Sequence, residues 1–436
     1  MSGRDETMGG RDGAVSGRDG ALSLGKETFG RTGADQAVRV LSQREKGLTR
    51  PLYEGCFPED GPALTDFYYR EKMADNTVLC RFSPGGVPLG MLCLNPYRVR
   101  VFDQERSLSY IVAVATDSSC RRQGIMRSVL QEALSLLRQR GEAFTFLKPA
   151  NPAYYTPFGF SWISERRPLR RSAAAGALKA EPLKAEPLDH ADSRLLEETA
   201  EAVNRVLGDA ADVCCLRDVP YLRTLLRELT AGGGAARLFR EPETGAIAGA
   251  QFLDYPDTAD DDSRLILPAR YTEAAGPQKP FLMGRITHLP AFLSLFRLKA
   301  DPSETGDLEE NADRDQEKEG RGTASAPVVL SFYYEDPLLA ENSGAYRWTL
   351  TSEGSQAEKL SEEETGRHGS QECAAADDGA VGAAADAGHP PALPKLRSET
   401  LMPWLFGMAP LPETCRRAFP AWTQVRQARA WFDEET

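Results

Sequence analysis

Apolar residues change their spacing several times along this chain, and each change marks an element. Residues 1–35 hold almost no large apolar side chain and carry the triplet Gly-Arg-Asp three times. Such a stretch cannot bury a core and is expected to be a disordered tail. From Ala37 the texture turns alternating and periodic. Thr77–Phe82 and Val87–Leu94 read as strands around a Pro84-Gly85-Gly86 turn, and Tyr97–Phe102 and Leu108–Thr116 read as two more. The period then lengthens: Ile125, Val129, Ala133, Leu134 and Leu137 share one face of a helix over Ile125–Arg140, and Gly141 stands where a C-cap belongs. Phe144–Leu147 is a short apolar run, the mark of a buried strand. A helix, antiparallel strands and one strand–helix–strand crossover together predict an α+β unit.

Further on, a tandem Lys-Ala-Glu-Pro-Leu at 179–188 reads as a linker, because a proline at every fifth residue forbids a continuous helix. Asp192–Leu207 and Val219–Leu229 have helical spacing, while Ala236–Phe239 and Ala246–Leu253 look like strands. A third unit begins near Pro280, with strands at Val328–Tyr334 and Ala345–Leu350 and a helix from about Ser398. The predicted organisation is a tail (1–35), a first domain (36–170), a linker (171–190), a second domain (191–277) and a third (278–436). Segments 301–325 and 353–395 are poor in large apolar residues and are expected to be disordered acidic insertions in surface loops of the third domain.

Charge changes this picture less than its size suggests. The formal net charge is −12, and 301–325 and 353–395 each hold nine acids against three bases, which accounts for all of it. The total therefore speaks to solubility rather than to a ligand. The chain has 436 residues, 41% of them hydrophobic, with no apolar run long enough to span a bilayer and no apolar leader at its start. A cytoplasmic protein of several domains is expected, with neither membrane nor nucleic acid as partner. Its eight cysteines form no CxxC pair, which argues against a zinc site or a disulfide framework, and no metal is expected. None of the four histidines (190, 288, 368 and 389) lies in the first domain, so proton chemistry there cannot rest on a local histidine.

The sharpest local signal is Ile111-Val-Ala-Val-Ala-Thr116, a short turn, and then Arg121-Arg122-Gln123-Gly124-Ile125-Met126 leading into the helix. A strand that feeds a turn and then a helix N-terminus collects free backbone N–H groups and the positive end of the helix dipole, which is an anion site. Gly124 lets the backbone approach a pyrophosphate, and Arg121, Arg122 and Arg127 add charge-assisted bonds. The Walker ending and GxGxxG are both missing, which disfavours nucleotide hydrolases and dinucleotide enzymes. Taken alone, the tetrad Arg121–Gly124 reads equally well as a basic surface turn.

Past the next strand comes Lys148-Pro-Ala-Asn151-Pro-Ala-Tyr154-Tyr155-Thr-Pro-Phe158-Gly159-Phe160. The combination of Val-Ala-Val-Ala-Thr, Arg-Arg-Gln-Gly and Tyr155-x-x-Phe-Gly-Phe resembles motifs A and B of the GNAT acetyltransferases. More narrowly, it resembles the Eis (enhanced intracellular survival) branch. Leu52–Glu59, Leu94–Tyr97, Met283–Ile286, Asn342–Trp348 and Leu405–Gly407 look like further landmarks of that branch. The resemblance implies two tandem GNAT-type mixed-sheet domains followed by a sterol-carrier-protein-like α+β domain, and a homo-oligomer, in relatives a hexamer.

The same resemblance implies roles. Acetyl-CoA is the co-substrate and an amine the acceptor, either a small molecule such as an aminoglycoside or polyamine, or a lysine. Val114, Ala115 and Thr116 would hold the pantetheine and thioester through backbone groups; Arg122, Gln123, Gly124, Ile125, Met126 and Arg127 would wrap the pyrophosphate; Ala150 and Asn151 would touch the pantetheine arm. Tyr155 matches the general acid, a phenol of pKa about 10 that can protonate a leaving thiolate. Tyr154 reads as a packing aromatic. The general base would be the terminal α-carboxylate of Thr436, carried to the site behind the apolar anchor Trp431-Phe432. Two other classes stay open: a non-catalytic CoA-binding or assembly module, and a lipid carrier working through the last domain.

Overall fold

The alternating runs of the first domain become adjacent strands of one mixed sheet. β1 (Val38–Val40), β2 (Thr77–Phe82), β3 (Pro88–Val101), β4 (Gln104–Thr116) and β5 (Phe144–Leu147) follow one another in chain order, antiparallel except for the parallel pair β4–β5. The computed structural model describes residues 37–184, 190–255, 263–299, 326–361, 364, 393–418 and 420–432. The tail 1–35, the insertion 301–325, most of 353–395 and Thr436 lie outside the described residues.

β3 is one strand of 14 residues where the sequence predicts two. Pro96 falls between the two predicted runs, and the sheet accommodates it. β2 stops opposite Leu94 and the strand Val213–Cys215 joins only from Val99, so no strand flanks Pro96 on that side. Opposite it, the Ser109 N–H turns away to Glu142 Oε2 (2.7 Å), so the missing proline donor falls in the gap and costs no ladder bond. Helix α1 (Arg50–Cys56) packs on the hairpin β3–β4, and helix α2 (Ile125–Gln139) covers the face of the sheet made by β2–β4. All five predicted face residues of α2 are buried, with Leu130 beside them. Gly141 (φ 72°) ends the helix as predicted, its N–H on Arg138 C=O and that of Glu142 on Leu137 C=O.

The strand Met283–Ile286, grouped by hydrophobic pattern with the third domain, is hydrogen-bonded to β5 on one side and to Ser161–Trp162 on the other. A second sheet, antiparallel throughout, runs Arg264–Ile266, Ile247–Leu253, Ala235–Arg240, Lys179–Leu183. Helices α3 (His190–Ala210) and α4 (Val219–Gly232) accompany it and share its apolar cluster. Lys179–Leu183 lies in the stretch read as linker. It is an edge strand with Leu183 buried, and an edge accepts Pro182 because one side of its ladder is unused. A third sheet joins Val328–Tyr334, Gly344–Leu350 and Ser355–Lys359 in antiparallel order and Lys395–Leu396 in parallel. Ser355–Lys359 falls inside the segment expected to be an acidic insertion; the hairpin with Gly344–Leu350 and the buried Leu360 keep that part in the fold. The molecule is α+β with several mixed and antiparallel sheets, and among the described residues no helix is long and apolar enough to cross a membrane.

Two features of the first sheet prepare a site. β4 and β5 are paired only at Tyr110 and Phe146, and beyond that point the parallel strands separate. The chain also returns from its far end: Ala430–Trp431 runs parallel to Val213–Cys214, and the Phe432 ring stacks on Phe146 (4.9 Å, 29°).

Candidate active site

A cleft of about 670 Å³ opens where β4 leaves its neighbour and the chain turns into α2. Its first wall is a bulge in β4. Met91 faces Ala115 and Cys93 faces Val112, so two residues, Ala113 and Val114, stand against Leu92 alone. Ala113 takes φ 52°, a strained value for a residue with a Cβ, and the bulge turns backbone polar groups out of the ladder.

The second wall is the loop 117–124. Asp117 Oδ1 accepts the Ser119 N–H (2.9 Å), and Arg121 Nε donates to Thr116 C=O (3.4 Å). Arg122 (φ 63°) and Gly124 (φ 77°) both adopt left-handed backbone, which curls the loop around an open centre. A Cβ on Gly124 would meet nothing within 4 Å. Ser128 N–H is the first to close a helical turn, on Gly124 C=O (3.0 Å), so the N–H groups of Ile125, Met126 and Arg127 sit at the free end of α2. This is anion-binding geometry, made by backbone and reinforced by Arg121, Arg122 and Arg127 around the opening.

Close approach of α2 to the sheet fixes that geometry. A Cβ on Gly90 of β3 would lie 2.4 Å from Ile125 Cγ2 and 3.3 Å from Ala115 C=O. We expect Gly90→Val to push the start of α2 off the sheet, lowering stability by about 1–3 kcal/mol. A urea melt and calorimetric titration of the anionic ligand check this: both stability and affinity should fall together.

Of the residues singled out from sequence, Val114, Ala115, Thr116, Arg122, Gly124, Ile125, Met126 and Arg127 line the cleft. Gln123 does not; its side chain folds back to Ser119 C=O (3.4 Å). Ala150 and Asn151 are exposed and off the lining, and Asn151 Oδ1 caps the turn Pro152–Tyr154 by accepting the Ala153 N–H (2.9 Å). Tyr155 is buried beneath the cleft in the cluster of Ile125, Leu147, Phe158 and Phe160, on which Val114 and Met126 also pack. Its ring meets Phe160 edge-on at 5.9 Å, and burial, with Tyr154 adding to it, pushes its hydroxyl up to about 12. No described residue hydrogen-bonds that hydroxyl. Tyr154 is 58% exposed and lines the cleft, contrary to its reading as a packing aromatic. Arg127 lies over the Phe158 ring at 5.0 Å, which joins the loop to the aromatic turn.

A family model described as an acetyltransferase (GNAT) domain matches residues 37–163, the stretch that builds the bulge, the loop, α2 and the Tyr155 turn. The chain carries a GNAT domain and is an acyltransferase. Among solved structures, a GCN5-related N-acetyltransferase from Kribbella flavida is 12% identical, covering 92% of this chain and 100% of its own, with a TM-score of 0.56. One from Anabaena variabilis ATCC 29413 is also 12% identical, over 90% of this chain and 94% of its own, with the same score of 0.56. A probable N-acyltransferase from Enterococcus faecalis V583 is 13% identical, over 75% and 86%, at 0.53. At these identities the likeness is one of fold. No curated protein matches the chain.

The GNAT domain shares a second cavity, of about 360 Å³, with the second sheet unit. Phe57 lines both spaces, and the β4 bulge divides them: Val112 and Ala113 face the second cavity, Val114 and Ala115 the first. The second cavity is lined by the carboxylates of Glu59, Asp60, Glu228 and Asp254, by Lys148, and by the rings of Tyr53, Tyr68 and Tyr255. Glu228 is paired with Lys72 (2.8 Å) and Asp254 with Arg264. Glu59 and Asp60 form no ion pair among the described residues, although Lys148 shares the lining. Tyr53 Oη donates to Asp60 Oδ2 (2.5 Å), while burial and the neighbouring Glu59 and Glu228 raise the Asp60 carboxyl above the usual carboxylate range. Tyr68 is placed by a π-helical turn, Tyr68–Lys72, which is one residue wider than α-helix and characteristic of functional sites.

Sequence reasoning missed Cys56 and Phe57 as cleft residues, although their stretch stood out as a landmark. Cys56 Sγ donates to Thr116 C=O (3.7 Å), which pins the end of α1 against the bulged strand. The cavity's carboxylates were not foreseen.

Proposed function

We propose that this acyltransferase moves the acetyl group of acetyl-CoA to a primary amine, by direct attack of the amine on the thioester. The observation that carries the reading is the meeting of an anion-binding cleft and an acidic, aromatic cavity at one bulged strand. The cleft suits the CoA pyrophosphate, held by the N–H groups of Ile125–Arg127 and by Arg122 and Arg127. The pantetheine would lie along Val114–Thr116, which brings the thioester to the bulge, where backbone N–H groups can stabilise the oxyanion. The cavity suits a cation: its carboxylates attract an ammonium and its rings accept cationic faces. An acceptor with more than one amine, such as an aminoglycoside or polyamine, or a lysine side chain, matches that lining.

In this mechanism the amine must shed a proton before it attacks. We assign the base to the α-carboxylate of Thr436. Support comes from the chain just before it, since Phe432 is anchored on Phe146 of β5, and four residues span about 14 Å at most. The neutral amine adds to the thioester carbon, the tetrahedral intermediate collapses with cleavage of the C–S bond, the thiolate takes a proton from Tyr155, and the phenolate recovers one from the protonated nitrogen of the new amide. Burial favours this role, because a phenol held up to about 12 stays protonated at neutral pH.

Our reading extends to the Eis branch for the whole chain, with a sterol-carrier-protein-like last domain, a cytoplasmic setting and a homo-oligomeric, hexameric state. Adding two residues after Thr436 tests the base. Turnover should fall by about 100-fold or more, the range for an acid–base group, with acetyl-CoA affinity unchanged. Unaltered turnover would remove the terminal carboxylate from the mechanism.

A further inference from the structure

The turn that carries Tyr155 and Phe158 is held from behind by a buried ion pair, and one member of that pair comes from the third sheet unit. Arg285, in the strand Met283–Ile286, is 1% exposed. Its Nε donates to Phe158 C=O (2.6 Å) and its Nη1 to Ile286 C=O (2.8 Å). The two Nη atoms then form a bidentate pair with Asp336 (2.6 and 3.2 Å), which is 4% exposed. Asp336 sits just past the strand Val328–Tyr334, and its orientation is over-determined. Its carboxylate also accepts the N–H groups of Leu338 (3.1 Å) and Leu339 (2.9 Å) and the Asn342 amide (3.3 Å), and its own N–H goes to Ser343 Oγ (2.9 Å).

These bonds meet at a point where the turn has little else to fix it. The carbonyl of Phe158 ends a single 3-10 turn, Thr156–Phe158, and would be an orphan acceptor without Arg285. The next residue, Gly159, takes φ 78° over the guanidinium, and a Cβ there would sit 3.5 Å from Arg285 Nε. Leu339, from the same Asp336 loop, is buried in the cluster that surrounds Tyr155, with Leu338 packed against it. Nothing polar among the described residues holds the Tyr155 hydroxyl, so its place is set by the backbone of this turn and the rings around it.

We infer that Arg285 and Asp336 are positioning residues for Tyr155: the third unit sets the angle of the acid through Asp336, Arg285 and the Phe158 carbonyl. The inference rests on the reading of Tyr155 as the proton donor to the leaving thiolate. Its physical basis is that a buried guanidinium without its carboxylate cannot keep its geometry, because the charge must find water or new acceptors. A reacting group displaced by about 1 Å loses up to about 100-fold in rate.

The test is a double-mutant cycle on the full chain, using Asp336→Asn, Tyr155→Phe and the pair, with kcat and acetyl-CoA affinity read separately. Asp336→Asn is expected to lower kcat by about 10- to 100-fold. The same change on the Tyr155→Phe background is expected to do nothing further to kcat, which a merely destabilising substitution would not reproduce. Ser343→Ala, which loosens Asp336 without touching its charge, should give a smaller loss of the same kind and serves if Asp336→Asn fails to fold. Wild-type kcat in Asp336→Asn with Tyr155→Phe still slow overturns the positioning role alone. Equal fold-losses on both backgrounds overturn it too. Wild-type kcat in Tyr155→Phe removes the acid itself, and the relay with it.

Discussion

Tyr155→Phe should turn over about 100- to 10,000-fold more slowly than the wild type while binding acetyl-CoA equally well. The substitution removes only an oxygen, and the ring keeps its edge contact with Phe160 and its place in the cluster under the cleft. Folding and donor binding are therefore preserved, and the loss falls on expulsion of the thiolate. The pH dependence has a definite sign. Tyr155 acts in its protonated form, and burial raises its hydroxyl from about 10 to about 12. Its contribution to kcat is thus full at neutral pH and is lost only as pH rises through the raised value. Rates measured from pH 7 to 10 should show no alkaline fall that Tyr155→Phe abolishes. Stopped-flow or thiol-release kinetics for both proteins across that range decide the matter.

The second large effect belongs to the acidic cavity. Glu59→Gln with Asp60→Asn should raise the KM for a cationic amine by about tenfold or more, chiefly through the half-buried Asp60, since Glu59 is exposed and its charge is screened by solvent. These two carboxylates form no ion pair among the described residues, whereas Glu228 and Asp254 are paired with Lys72 and Arg264. The acetyl-CoA KM should stay within about twofold, because the neutralised groups lie across the bulge from the pyrophosphate loop. Raising salt should weaken wild-type acceptor binding and leave the double variant almost unaffected. An unchanged amine KM would place the acceptor elsewhere.

What could be read from the sequence was whatever is written in consecutive residues. The crossover β4–loop–α2–β5 is local: an apolar run, a basic glycine turn, a helical period and another apolar run, and the structure reproduces it. Tyr155 and its Phe-Gly-Phe neighbours are likewise contiguous. The acidic cavity is different, for its carboxylates sit at 59, 60, 228 and 254 and no period or motif links them. The chain's net charge gave no hint of it, because that charge belongs to other segments. The buried pair Arg285–Asp336 is hidden for the same reason, its members standing 51 positions apart. Pro96 and Pro182 misled in a more instructive way. The Pro182 repeat was read as a linker and the strand was divided around Pro96, yet each proline occupies a place in a sheet where one side of the strand has no partner. Whether a strand has a neighbour on a given side is a tertiary fact.

The most direct measurement is transfer itself. The full chain is incubated with acetyl-CoA and, separately, spermidine, a simple diamine, an aminoglycoside and a lysine peptide, with CoA thiol and acetylated amine quantified together. We expect CoA to appear in equal amount to an N-acetylated product for at least one cationic amine, and both to collapse in Tyr155→Phe. Tight binding of acetyl-CoA with no amine acetylated, or thiol release without a matching N-acetyl product, would contradict the account.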